Sequence, residues 1–191
     1  SGVDLEKECL PPVKPNKIQS EALLALEKSR IEGLSRGLVV MATGTGKTWL
    51  AAFDCLATKA KKVLFIAHRE EILSQAEETF VRIFEDAKIG QYTGTQKDED
   101  ADILFASIQT LGRQAHLEKF SPEYFDYIIV DEFHHAGAAS YQRLLASFSP
   151  KFLLGLTATP ERTDRADILS LCDNNLVFEN GMVPAIDQGV L

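Results

Sequence analysis

Five short runs in this chain are apolar at nearly every position: GLVVM at 37–41, VLFIA at 63–67, ILFA at 103–106, YIIV at 127–130 and FLLGL at 152–156. A strand of that kind needs cover on both sides, which a parallel sheet sandwiched between helices supplies. The intervening stretches carry a helical period. After Arg69, the apolar residues Ile72, Ala76, Phe80 and Ile83 recur at spacings of four, four and three and so share one helical face. This alternation predicts an α/β fold, a mainly parallel twisted sheet with helices on both faces. The length of 191 residues suits one domain with its own core. Residues 1–14 read as an N-terminal extension and 15–191 as the domain. A weaker apolar stretch, NLVF at 175–178, closes the series, and the acidic segment QKDEDAD at 96–102 reads as a solvated loop.

The net charge of −8 excludes a uniformly basic nucleic-acid-binding surface. Contact with a polynucleotide must use a local groove or a neighbouring domain. Cys9, Cys55 and Cys172 are far apart and form no CxxC pair, so neither a disulfide framework nor a zinc knuckle is indicated. Inert thiols in a reducing cytoplasm are the expectation. No run approaches the roughly 20 apolar residues of a membrane span.

The strongest chemical signal is MATGTGKT at 41–48, between an apolar strand and a helical pattern. That context suits a phosphate-binding loop. Gly44 and Gly46 let the backbone N–H groups of Thr43, Gly44, Thr45 and Gly46 approach phosphate oxygens, and the following helix offers its N-terminus to the same anion. Lys47 reaches the outer phosphates of ATP, and Thr48 places its hydroxyl on Mg²⁺. Met41 stands where the general pattern has glycine, which is tolerable if its φ stays negative.

YIIVDEFHH at 127–135 puts two carboxylates at the carboxyl end of a buried strand, where open α/β sheets bind ligands. Asp131 suits the role of metal-holding carboxylate, and Glu132 that of a general base for water. Mg²⁺ needs only one or two carboxylates beside phosphates and retained waters. His134 and His135 point in different directions on any regular element and have no third ligand nearby in sequence, so zinc is not indicated.

These ordered blocks resemble superfamily 2 helicases. The branch they most resemble contains the motor subunits of type I and type III restriction enzymes and related DNA helicases. The resemblance implies a RecA-like P-loop NTPase domain, with Lys47, Asp131 and Glu132 catalytic and with ATP and Mg²⁺ bound. PNKIQSEAL at 15–23 looks like the family's adenine-reading segment and would make Gln19 the adenine partner. Locally, Asn16 and Gln19 also read as a capping box, and the two roles are compatible. AHRE at 67–70 and SIQTLGR at 107–113 resemble strand-contacting motifs, implying that His68, Arg69, Thr110 and Arg113 meet a phosphate backbone. The arginines could instead be helix-terminus surface charges. LTATPERTD at 156–164 looks like a coupling motif, in which Thr157 and Thr159, with His134, link the nucleotide to a second motor domain. The threonines could instead cap the next helix.

The DEFH form departs from the better-known variants at its third position, which favours DNA over RNA as the partner. The second RecA-like domain is absent from these residues, and a nuclease or other flanking domain is a natural neighbour. The fragment alone is therefore expected to hydrolyse ATP weakly. A nucleotide kinase or a non-catalytic nucleotide-dependent module shares parts of the pattern. The first would need an arginine-rich acceptor lid, and the second has no need of an intact Lys47, Thr48, Asp131 and Glu132.

Overall fold

A computed structural model describes residues 13–42, 46–158 and 165–180. Seven strands form one sheet in the order β3-β4-β2-β5-β6-β1-β7, and every neighbouring pair runs parallel. They are β1 (Arg36–Met41), β2 (Val63–Ala67), β3 (Ile89–Tyr92), β4 (Ile103–Ser107), β5 (Tyr127–Val130), β6 (Phe152–Thr157) and β7 (Leu176–Asn180). The five apolar runs are the five inner strands. Edge strand β3 has no comparable signal, because only its alternate residues Gly90 and Tyr92 are buried. A half-covered strand of four residues is too short to stand out by period.

The parallel sheet forces each strand to serve two cores. Leu38 and Val40 of β1, with Leu64 and Ile66 of β2, face one apolar cluster, while Val39, Met41, Val63 and Phe65 face the other. The second cluster is closed by α1 (Lys17–Ile31), α2 (Lys47–Ala57) and α3 (Glu70–Ile83). The first is closed by α4 (Ile108–Leu111), α5 (Gln114–Leu117), α6 (Ala139–Ser147) and α7 (Arg165–Leu171). In α3, Leu73, Ala76 and Phe80 are buried, and Ile72 and Ile83 flank them. Among the described residues no helix is long and apolar enough to cross a membrane.

The acidic segment 96–102 is more than a solvated loop. Asp98 accepts the Gln91 N–H and Asp102 accepts the Lys88 N–H, both at 2.9 Å, so two of its carboxylates satisfy backbone donors along edge strand β3. At the amino edge of the sheet, Arg30 of α1 grips buried Asp54 of α2 with two 2.7 Å hydrogen bonds. The Tyr127 hydroxyl donates to the same carboxylate at 2.6 Å. This fully paired charge ties two helices to β5, at the sheet edge opposite the site described next.

Candidate nucleotide-binding and catalytic site

The carboxyl ends of β1, β2, β4, β5 and β6 lie along one edge, and the expected functional residues follow those strand ends. Met41 is a fully buried residue of β1 and is not among the described residues of positive φ, so glycine is not needed there. Thr43, Gly44, Thr45 and Thr159 fall outside the described residues. Gly46 has φ +86°, a conformation that side chains rarely adopt, and a Cβ there would collide with the Gln19 amide. Both facts account for a glycine at this position.

Gln19 is buried and braces the loop. Its Nε2 donates to the Gly46 carbonyl at 3.0 Å. Its Oε1 accepts the Asn16 N–H at 2.9 Å, while Asn16 Oδ1 accepts the Gln19 N–H at 2.8 Å. The capping box is thus formed, and the same amide bridges α1 to the phosphate loop.

Lys47 and Thr48 open α2. The Lys47 Nζ lies 3.2 Å from Asp131 Oδ1, which also accepts the Glu132 N–H at 2.7 Å. Asp131 is almost fully buried, and Lys47 supplies the pairing that a buried carboxylate requires. Glu132 adopts φ 51° and ψ 47°, left-handed for a non-glycine residue. Such strain concentrates at functional sites when the surroundings over-determine it. Here the buried Phe133 ring anchors the next residue, packed so closely over Gly155 of β6 that a Cβ there would stand 2.8 Å from its Cγ. Residues 133–135 then form one 3₁₀ turn.

The Glu132 carboxylate is met by Arg69 Nη2 at 2.7 Å. This contact also raises the Arg69 pKa, chiefly through the hydrogen bond. The Nδ1 of His134 lies 3.1 Å from the Thr157 hydroxyl, which is itself 2.9 Å from the Ala158 carbonyl. Burial, then the neighbouring His135, lowers the His134 pKa and keeps the ring neutral. The fold thus brings together Lys47, Asp131, Glu132, Arg69, His134 and Thr157. A cavity of about 440 Å³ lies among the first five, walled also by Thr48, Trp49 and Ala158 and by Ile72, Gln75 and Thr79 of α3. The roles of Trp49, Ile72 and Thr79 as its walls were not legible in sequence, since each also fits an ordinary amphipathic helix.

The outer candidates lie farther along the edge. Gln109 of α4 donates to the His68 carbonyl at 2.7 Å, stitching the end of β2 to α4, and Ser107 Oγ donates to Thr110 Oγ1 at 3.1 Å. Arg113 is exposed at the start of α5. Thr110 and Arg113 do not line the cavity.

The oxygen donors Asp131 and Thr48 are the hard ligands that Mg²⁺ prefers, and they fit that ion. Among the described residues no group of three His, Cys, Asp or Glu side chains is placed to hold a metal alone.

Sheet order and edge geometry together define a class: an α/β domain of the RecA-like kind. Residues 12–162 match the family described as type III restriction enzyme, res subunit, and the chain belongs to that family. A Saccharomyces cerevisiae protein named as an ATP-dependent helicase, IRC3, is 31% identical over 97% of this chain and 29% of its own length. The type I restriction enzyme EcoAI endonuclease subunit of Escherichia coli is 30% identical over 78% of this chain and 20% of its own. The chain therefore spans less than a third of either relative. The solved structure of a nuclease-deletion mutant of the type ISP restriction-modification enzyme LlaGI, in complex with a DNA substrate mimic, shares the fold. Its TM-score is 0.67 at 18% identity, covering 93% of this chain and 21% of that one.

Proposed function

We propose that this chain is the first RecA-like domain of an ATP-driven DNA helicase or translocase, binding ATP with Mg²⁺ at the carboxyl edge of the sheet. The observation that carries the reading is the 3.2 Å approach of Lys47 to Asp131 at the mouth of the phosphate loop. A lysine there balances the buried carboxylate and is free to turn to the outer phosphates of a triphosphate. Backbone N–H groups of residues 43–46 and the start of α2 would cradle the phosphates.

Thr48 and Asp131 would hold Mg²⁺, which neutralises charge on the phosphates when bound. Glu132 would orient a water and accept its proton as that water attacks the γ-phosphorus; the bond to the bridging oxygen breaks, and ADP and phosphate leave. Gln19, joined to the loop through Gly46, would read the adenine edge as the resemblance implies. The bond between His134 and Thr157 connects the Asp131–Glu132 turn to β6, the path by which nucleotide state would reach a second RecA-like domain. Such a domain would bring arginines to the γ-phosphate, and an arginine finger is worth about 10³–10⁵ in rate.

His68, Arg69, Thr110 and Arg113 would contact the phosphate backbone of one strand, with DNA favoured by the restriction-enzyme kinship. The buried free thiols Cys55 and Cys172 suit a reducing cytoplasm.

The test is nucleotide binding followed by turnover. Trp49 is the single tryptophan and lines the cavity, so its fluorescence should report a non-hydrolysable ATP analogue. Lys47→Ala should weaken that binding by at least about tenfold, since it removes a charge-assisted contact. Unchanged affinity would end the assignment. Titrating turnover of the complete polypeptide against single-stranded DNA, duplex DNA and RNA then identifies the partner.

A further inference from the structure

The ion pair between Arg69 and Glu132 joins two residues with separate tasks. Arg69 is the N-cap residue of α3, following the end of β2, and its side chain is 59% exposed, on the edge where a strand would lie. Glu132 is the residue that would activate water, and its side chain is only 14% exposed. One guanidinium nitrogen, Nη2, donates to Oε1 at 2.7 Å. A general base must come within hydrogen-bonding reach of the water it deprotonates, and a carboxylate oxygen engaged by a guanidinium is turned aside from that water.

We propose that Arg69 is a positioning residue that holds Glu132 away from water until a DNA phosphate draws the guanidinium off. This rests on the ATPase reading above and adds to it the point at which the strand acts on the chemistry. The exchange is physically balanced. An exposed ion pair contributes little, so it breaks readily. Phosphate offers arginine a bidentate partner in place of a single contact. The neighbouring link from Gln109 to the His68 carbonyl fixes the end of β2, so the change falls on the Arg69 side chain rather than on the strand. Glu132 cannot follow the arginine, because its backbone is held between the Asp131 carboxylate and the buried Phe133 ring. Once released, its carboxylate stays in the cavity that it shares with Lys47 and Thr48.

The weakness of an exposed pair also limits the effect. Arg69→Gln in the complete polypeptide should raise DNA-free kcat by about two- to fivefold, the most such a pair can withhold, and leave KM for ATP unchanged. At saturating oligothymidylate the stimulation should shrink by the same factor, and Arg69→Lys should restore both values toward those of the parent. Binding of oligothymidylate followed by fluorescence anisotropy should lose about one unit of its salt slope in Arg69→Gln. A DNA-free kcat that stays the same or falls in Arg69→Gln overturns the proposal. Lys47→Ala and Glu132→Gln separate the two levels of the argument. If both abolish turnover while Arg69→Gln leaves DNA-free kcat unchanged, only the role of Arg69 is lost. If neither affects turnover, the nucleotide site itself was misread and both ideas fall.

Discussion

Replacing Gly155 with alanine tests how the sheet holds the catalytic turn. Gly155 lies in the middle of β6, directly beneath the Phe133 ring. A methyl group there would start 2.8 Å from Phe133 Cγ and 2.9 Å from Cδ2. Carbon atoms at ease stand about 3.5 Å or more apart, so the ring must retreat by about 0.7 Å. Phe133 is fully buried in the first core and has no open space to enter. Overpacking of this kind costs about 1–3 kcal/mol. For a domain of this size that corresponds to a fall in Tm of about 2–12 °C, measurable by calorimetry.

The displaced ring pulls on Glu132, the preceding residue, whose left-handed backbone has few alternatives. Misplacing a catalytic group by about 1 Å can cost about 10²-fold, so a smaller shift should lower kcat by about tenfold. KM for ATP should hardly change, because Lys47 pairs with Asp131 rather than resting on Phe133. The assay is DNA-stimulated phosphate release by the complete polypeptide. A Gly155→Ala protein with the parent Tm would show that the ring is not confined. A lowered Tm with full kcat would show that Phe133 does not position Glu132.

At the opposite edge, Arg30→Met should cost about 3 kcal/mol in urea unfolding, because it leaves the buried Asp54 charge with the Tyr127 hydroxyl alone. Nucleotide affinity should survive, and a loss below about 1 kcal/mol would mean that Asp54 finds water or another partner. Burial first, then the cations of Lys119, Lys97 and Arg113, keeps His116 below its ordinary pKa while its Nδ1 lies 2.6 Å from the Tyr92 hydroxyl. The unfolded chain therefore binds this proton at a higher pH than the folded one. Stability should be full above about pH 6.5 and fall as the pH drops from there toward the lowered folded value. The urea midpoint followed on both sides of that pH should show the decline, and His116→Gln should flatten it; an unaltered slope would assign the decline to other groups.

Much of this was legible without coordinates, because its causes are local. Apolar residues at successive positions in five runs required a sheet covered on both faces, whatever its strand order. Gly46, between an apolar run and a helical pattern, marked the turn that its positive φ occupies. Asn16 and Gln19 declared a helix start through hydrogen bonds that span only three residues. Contacts between residues far apart in the chain were not legible, since no local pattern records them. Strand order decided that β6 lies between β1 and β5, which places Thr157 beside His134 and Gly155 beneath Phe133. Tertiary packing also decided that the Gln19 amide, sufficient for a cap, reaches the phosphate loop 27 residues away. Above all it set Arg69 against Glu132, 63 residues apart. In the sequence those two residues belong to separate motifs, and only the parallel pairing of β2 with β5 brings their ends to the same place.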